Sequence, residues 1–293
     1  MQKVTLKRKK RKLNIPSVLI YVFMTVLAFI TVFPVLNLVG VSLSDAASVS
    51  SVIVFPRGIT FDAYAYVFQK SFLVRSFFIS VARVIVGTAI QTVVTVFTAY
   101  ALSKPDSLFR GRTVYAWFFF LAMIFDGGII PFYMMVKQLN MLDSFFSLVV
   151  PSAVQVFNII LLLNFFKQLP KELEESAMLD GAGYALLLWK VIVPVAKPAI
   201  ATGVIFGMVG HWNAWLDGMM FMKLPEDYPL QTYVQSVIAG GNVTSGVSDF
   251  SDKISDRNTQ AALITVAMLP MVLSYPFMQK YFEKGLIVGS VKG

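Results

Sequence analysis

The chain is expected to be an all-α polytopic membrane protein with six transmembrane helices and both termini cytoplasmic. Three observations carry that expectation. Of 293 residues 57% are hydrophobic and only 14% charged, giving a mean hydropathy of +0.71; uncharged windows of membrane-spanning length recur; and Lys and Arg collect in alternate intervening segments.

That composition already excludes several function classes. Without cysteine there is no disulfide framework, thiolate metal site or thiol nucleophile, and a single histidine, His211, excludes a His-rich zinc or di-iron centre. Seven of the 25 Lys and Arg lie between Lys3 and Lys12, directly before a long apolar run. The net charge of +9 therefore points to an anionic membrane surface and not to nucleic acid.

A bilayer core of about 30 Å needs about 20 helical residues. After a basic tail, residues 1–15, the first span runs from about Pro16 to Val41, inside 32 uncharged residues between Lys12 and Asp45. It is too long for the ~7–15-residue core of a cleaved signal peptide. The second span begins near Ser76 and ends before Lys104, with Arg83 inside it. The third, Val114 to Val136, carries Asp126, Gly127-Gly128 and Pro131, so a bend or local break is expected. The fourth covers Phe145 to Phe166, the fifth Ala199 to Met222 with His211, Asn213 and Asp217, and the sixth Ala261 to Met278.

With the N-terminus inside, 17 Lys and Arg fall on the cytoplasmic side, seven outside, and Arg83 in the membrane. The organisation is then a six-helix transmembrane domain over residues 16–279, with outer segments at about 44–70 and 223–257, a cytoplasmic loop at 167–197 and a cytoplasmic tail at 280–293. The outer segments are rich in Ser, Gly, Asn and Asp and long enough to meet something outside.

Several chemistries have no footing. There is no G-x-x-x-x-G-K-[ST], so the chain does not hydrolyse ATP by itself, and Gly181-Ala182-Gly183 lacks the third glycine and the preceding strand of a dinucleotide site. The surroundings of His211 form no nucleophile elbow. Asp249, Asp252 and Asp256 do not follow the ligand spacing of an EF-hand and read as a solvated acidic loop.

The informative segment is the loop between spans four and five. Pro170 suits the first turn of a helix, Glu172, Glu174 and Glu175 favour its positive end, and Gly181 is a natural stop. Leu169, Leu173 and Ala177 give one apolar stripe, and Ser176 with Ala177 is small enough for a partner to approach closely. A second helix, about Tyr184 to Val191, is expected to end before Pro194. The loop reads as a docking knob held between two spans.

Glu175-Ser176-Ala177, three residues, Gly181, nine residues, then Val191-x-Val193-Pro194 resembles the EAA loop, E-A-A-x3-G-x9-I-x-L-P, of permease subunits in binding-protein-dependent ABC importers. Ser176, Val191 and Val193 depart from it conservatively in size. Glu174-Glu175, Leu179-Asp180-Gly181-Ala182, Gly210 to Trp215 and the ending Gly285 to Gly293 are similar to the carbohydrate branch: the smaller maltose permease and, more so, permeases for poly- and oligosaccharides, the second permease of alginate importers among them.

The resemblance implies a type I importer in the bacterial inner membrane. Its permeases are a heterodimer of two related subunits, with two ATPase subunits that bind ATP and Mg, a periplasmic or lipid-anchored solute-binding protein, and a saccharide substrate. This chain would be a permease without enzymatic activity and with no cofactor of its own. Coupling to the ATPases falls to Glu174, Glu175, Ser176, Ala177, Asp180, Gly181 and Pro194, and to the tail residues Val291, Lys292 and Gly293. Contact with the binding protein falls to Gly240, Gly241 and Asn242.

For the substrate path the candidates are Arg83, Asp126, His211, Trp212, Asn213, Trp215 and Asp217, a set offering stacking faces and hydrogen-bond partners. Each also has a structural reading. Arg83 either faces a hydrated path or pairs with Asp126, the other permease or the outer interface, and the fifth-span group serves equally for helix packing. Two other classes are weighed: a secondary transporter, which would show internal repeats and coupling carboxylates in broken helices, and a polytopic enzyme acting on lipid-linked sugars. Only Asp126 resembles a coupling carboxylate, and the acids from Glu172 to Asp180 are better explained by docking.

Overall fold

The computed structural model describes residues 15–45, 55–56, 58–69, 71–240 and 255–290. Helix is the regular secondary structure they form, with no strand among them. They fall into two compact units, one holding the described residues up to Tyr66 and those from 255 to Thr265, the other those from Val67 to 240 and from Val266 onward.

In the first unit α1 (Ile15–Ser42) is apolar on every face, and most of its length is exposed. At its end Asn258 Nδ2 donates to Val41 O at 2.9 Å and, just beyond the helix, to Ser44 O at 2.7 Å. Ser42 Oγ and the Tyr64 hydroxyl are 2.7 Å apart, which ties α1 to the start of α2 (Asp62–Gln69).

In the second unit α3 (Ser71–Ser103) is the central element. It packs against α6 (Val156–Lys167) and α10 (Lys197–Asn213). The apolar core gathers Val96, Ala99, Ile159, Leu162, Leu187 and Ala199, among others, where these helices meet the loop after α6. Close approach of α3 and α10 is set by Gly87, where an added Cβ would come within 2.5 Å of the His211 ring. Polar groups share the seam: Gln91, Thr95 and Asn158 are buried there and line one small cavity beside Gly203.

By length and composition three stretches suffice to cross a membrane: α1, Phe72–Ser103 in α3, and Asp256–Phe277 in α13 (Asp256–Ser290). The expected break in the third span is present, since α4 (Arg112–Ile124) and α5 (Ile129–Gln138) meet at 120°. The chain is extended at Phe125 and has φ +82° at Gly128, and Asp126 Oδ1 accepts from Gly128 N at 2.8 Å, capping the turn. The fourth window is not one continuous helix. A short 3-10 turn, Phe145–Leu148, is followed by an irregular stretch around Pro151, which lacks an N–H, before the 12 residues of α6.

Candidate functional site

The loop after α6 forms a short helix where one was expected. α7 (Lys171–Leu179) follows Pro170, whose φ of −58° sets the entry, and carries Glu172 and Glu174 in its first turn. It stops at Gly181, φ +81°, where Gly181 N donates to Met178 O and Ala182 N to Ala177 O, both at 3.0 Å. This is a Schellman closure, which needs the left-handed conformation glycine adopts without strain.

The face presented outward differs in part from the expected stripe. Leu169 and Ala177 pack against the core, whereas Leu173 is exposed. Leu179 is 89% exposed, and Glu175, Ser176 and Asp180 are exposed beside it. Glu174 does not share that outward role: its Oε2 lies 2.6 Å from Lys104 Nζ at the end of α3. Pro194 also departs from expectation, because the second helix does not end before it. α8 (Tyr184–Leu187) passes through a π-helical turn, Leu188–Ile192, into α9 (Val193–Val195), which contains Pro194. The wider turn relieves the contact between the proline ring and the preceding carbonyls. The run Tyr184–Val195 meets α10 at 83°.

A second constellation lies where α10 breaks before α11 (Leu216–Phe221). Arg83 is 1% exposed, and its guanidinium is claimed by this break. Nη1 donates to Ala214 O and to Asp217 Oδ1, each at 3.1 Å, and Nη2 pairs with Asp217 Oδ2. Asp126, one of the partners the sequence offered, is exposed and occupied by its own turn. The reason is local: the helix break frees the Ala214 carbonyl, and Asp217 in the first turn of α11 supplies the counter-charge.

Beside the pair is an open cleft of about 430 Å³ lined by Ile129, Phe132, Gly210, Asn213, Trp215 and Asp217. The start of α5 and the α10–α11 break thus meet on one cavity. Of the fifth-span candidates, Asn213, Trp215 and Asp217 face it, and Trp215 is 40% exposed. His211 and Trp212 are packed away: the His211 ring lies against Gly87, while Trp212 stacks edge-on with Phe77 at 6.1 Å and donates from Nε1 to Ala267 O at 3.1 Å. Arg83 and Asp126 are not among the lining residues.

Part of the expected outer segment after the fifth span is helical. α12 (Leu230–Gly240) buries Leu230, Thr232 and Val234; Leu230 N donates to Ser80 Oγ, and Thr232 Oγ1 to Trp215 O, each at 2.7 Å. Gly240 ends this helix, while Gly241, Asn242, Asp249 and Asp252 lie outside the described residues. α13 continues to Ser290, so the expected tail is helical through that residue; Val291, Lys292 and Gly293, like the basic residues 1–14, lie outside the described residues. The sequence reading did not single out the Lys104 ion pair or the exposure of Leu179, since Lys104 stood out there as the charge that closes an uncharged window.

Comparison with known proteins agrees with this architecture. A family described as binding-protein-dependent transport system inner membrane component matches residues 107–288. Protein LplC of Bacillus subtilis (strain 168) is 37% identical over 268 residues, 90% of each chain. The polygalacturonan/rhamnogalacturonan transport system permease protein YtcP of the same organism is 35% identical over 285 residues, 94% of this chain and 98% of its own. A bacterial ABC transporter involved in the import of the acidic polysaccharide alginate, solved as a crystal structure, superposes with a TM-score of 0.86 at 31% identity, covering 96% of this chain and 100% of that one. The extent of these matches, together with a loop helix closed at Gly181, assigns the chain to the family of inner membrane components of binding-protein-dependent transport systems.

Proposed function

We propose that the chain is one permease of a heterodimeric, ATP-driven importer in the bacterial cytoplasmic membrane, crossing it six times with both termini inside and carrying an oligo- or polysaccharide. A second, related permease completes the path. Two ATPase subunits bind ATP and Mg, and a solute-binding protein delivers the sugar to the outer side, where the segment after Gly240 meets it. The single observation that carries the reading is α7: a short helix seated on the core through Ala177, with Leu169 packed just ahead of it and Glu175 and Leu179 turned outward. An exposed leucine beside unpaired carboxylates has the character of a protein contact.

The polysaccharide reading draws on the named cargo of YtcP and of the alginate transporter, and on the cleft at the α10–α11 break. Trp215 offers a stacking face and Asn213 both donor and acceptor, as hydroxyl-rich rings require. Arg83 is already neutralised by Asp217, so in this reading it holds the break together and is not a receptor for a sugar carboxylate.

The test is reconstitution. The chain, co-expressed with its neighbouring permease, ATPase and binding-protein genes, should retain the ATPase through purification. Its hydrolysis in proteoliposomes should rise when the binding protein is loaded with uronic-acid oligosaccharides. A purified permease pair that neither retains an ATPase nor responds to loaded binding protein would reject the assignment.

A further inference from the structure

Lys104 closes α3, and its ammonium is held on two sides: Glu174 Oε2 is 2.6 Å away and the centroid of the Tyr100 ring 4.1 Å away. The Lys104 side chain is 8% exposed against 30% for Glu174. An ammonium this far from water persists only where a carboxylate or an aromatic face replaces its hydration, so the contact is a fixed joint and not a fluctuating surface pair. Tyr100 is itself anchored, edge-on against Phe166 at 6.3 Å inside the core.

The joint connects two elements that otherwise share little. Glu174 belongs to the docking helix and Lys104 to the end of the central helix of the second unit. Among the described residues, Glu172, Glu175 and Asp180 make no ion pair, so Lys104–Glu174 is the one electrostatic tie between α7 and the body. Further along α3, about 31 Å away at 1.5 Å per residue, Arg83 is fixed to Ala214 and Asp217 at the break beside the cleft. One helix thus carries a charged joint at each end of this path: one to the docking helix, one to the broken helix.

We propose that Lys104 is a positioning residue for coupling. Through Glu174 it fastens the docking helix to α3, so that displacement of α7 moves α3 and, by way of Arg83 and Asp217, the helix break at the cleft. Without the joint α7 keeps only its apolar contacts and tilts independently, and work done on it is not passed on. This rests on the reading of α7 as the ATPase contact. It reassigns Glu174 within that loop, from partner recognition to transmission.

The experiment uses the assembled complex with Lys104→Met, Lys104→Arg and Glu174→Gln. Three quantities are read: ATPase retained through purification, sugar imported per ATP hydrolysed in proteoliposomes, and the distance distribution between spin labels at Ala101→Cys and Glu172→Cys, which a chain without cysteine permits. Lys104→Met should retain ATPase at the wild-type level, broaden the label distance, and lower sugar per ATP at least fivefold. Lys104→Arg should keep the wild-type ratio, because charge and not packing is at issue. Should Lys104→Met fail to assemble, Glu174→Gln carries the same expectation at the more exposed partner. An unchanged ratio in both Lys104→Met and Glu174→Gln would overturn the proposal, as would an equal fall in Lys104→Arg. A wild-type complex that retains no ATPase would sink the docking reading itself, and shows before any variant is compared.

Discussion

Arg83 and Asp217, 134 residues apart in sequence, form an ion pair that bridges α3 to the break between α10 and α11, with the guanidinium buried, the carboxylate at the edge of the cleft and the Ala214 carbonyl as a third partner. Removing one partner of such a pair leaves the other charge uncompensated in a low-dielectric seam. Asp217→Ala should therefore destabilise the permease by about 3 kcal/mol, and Arg83→Met combined with Asp217→Ala should recover most of it. Thermal unfolding of the purified complex checks this. A double variant as unstable as the single would mean that Arg83 has a role beyond the pair.

Gly87 sets the distance between α3 and α10. A methyl group there would meet the His211 ring at 2.5 Å, so Gly87→Ala forces the helices apart at a cost of about 1–3 kcal/mol. Shortening the opposing side chain removes the clash, and Gly87→Ala with His211→Ala should unfold at a higher temperature than Gly87→Ala alone. If His211→Ala brings no relief, the close approach is not what limits this seam.

Trp215 and Trp212 stand three residues apart and should behave oppositely. Trp215 faces the cleft at 40% exposure, while Trp212 is 5% exposed and bonded to Ala267. Trp215→Ala should leave assembly and melting temperature unchanged and reduce sugar uptake, by about 2- to 10-fold if one stacking contact worth ~0.5–1.5 kcal/mol is lost. Trp212→Ala should lower the melting temperature first. Uptake unaffected by Trp215→Ala would remove the cleft from the sugar path.

Much of this was legible in the sequence, and the failures have physical causes. The helix α7 and its stop were readable because Pro170, the acidic first turn and Gly181 are local signals whose effect does not depend on distant residues. The break at Gly127-Gly128 was readable for the same reason. The partner of Arg83 was not: Asp126 and Asp217 are equivalent as charges, and only the α10 break, which frees the Ala214 carbonyl, decides between them. Pro194 misled because a proline signals a helix end unless a π turn absorbs its ring, and nothing local announces that turn. α12 was hidden because the expected outer segment was judged as a whole, although Leu230 and Val234 already stand one helical turn apart. Glu174 and Glu175 are adjacent and chemically alike, so their division between a strut and an outward face needs the position of Lys104.

Gly181 separates backbone strain from crowding. Its φ is +81°, yet an added Cβ would have open space around it, so a substitution there is penalised through the backbone alone. Gly181→Val should cost about 1–3 kcal/mol and redirect the chain into α8, whereas Gly181→Asn, which tolerates the left-handed region better, should cost less. ATPase retention by the two variants should follow that order. Equal retention would show that the turn at Gly181 does not set the docking geometry.

The decisive measurement concerns the outward face of α7, where Glu175 and Leu179 stand clear of the body. Both residues are exposed and make no ion pair among the described residues, so Glu175→Lys and Leu179→Asp should insert, fold and pair with the second permease normally. In proteoliposomes with sugar-loaded binding protein, the expected result is at least a tenfold loss of retained ATPase, or of sugar-stimulated hydrolysis, with uptake falling in parallel; tenfold corresponds to about 1.4 kcal/mol at the contact. Wild-type attachment, hydrolysis and uptake in both variants would contradict the assignment of this helix as the coupling element, and with it the importer mechanism built upon it.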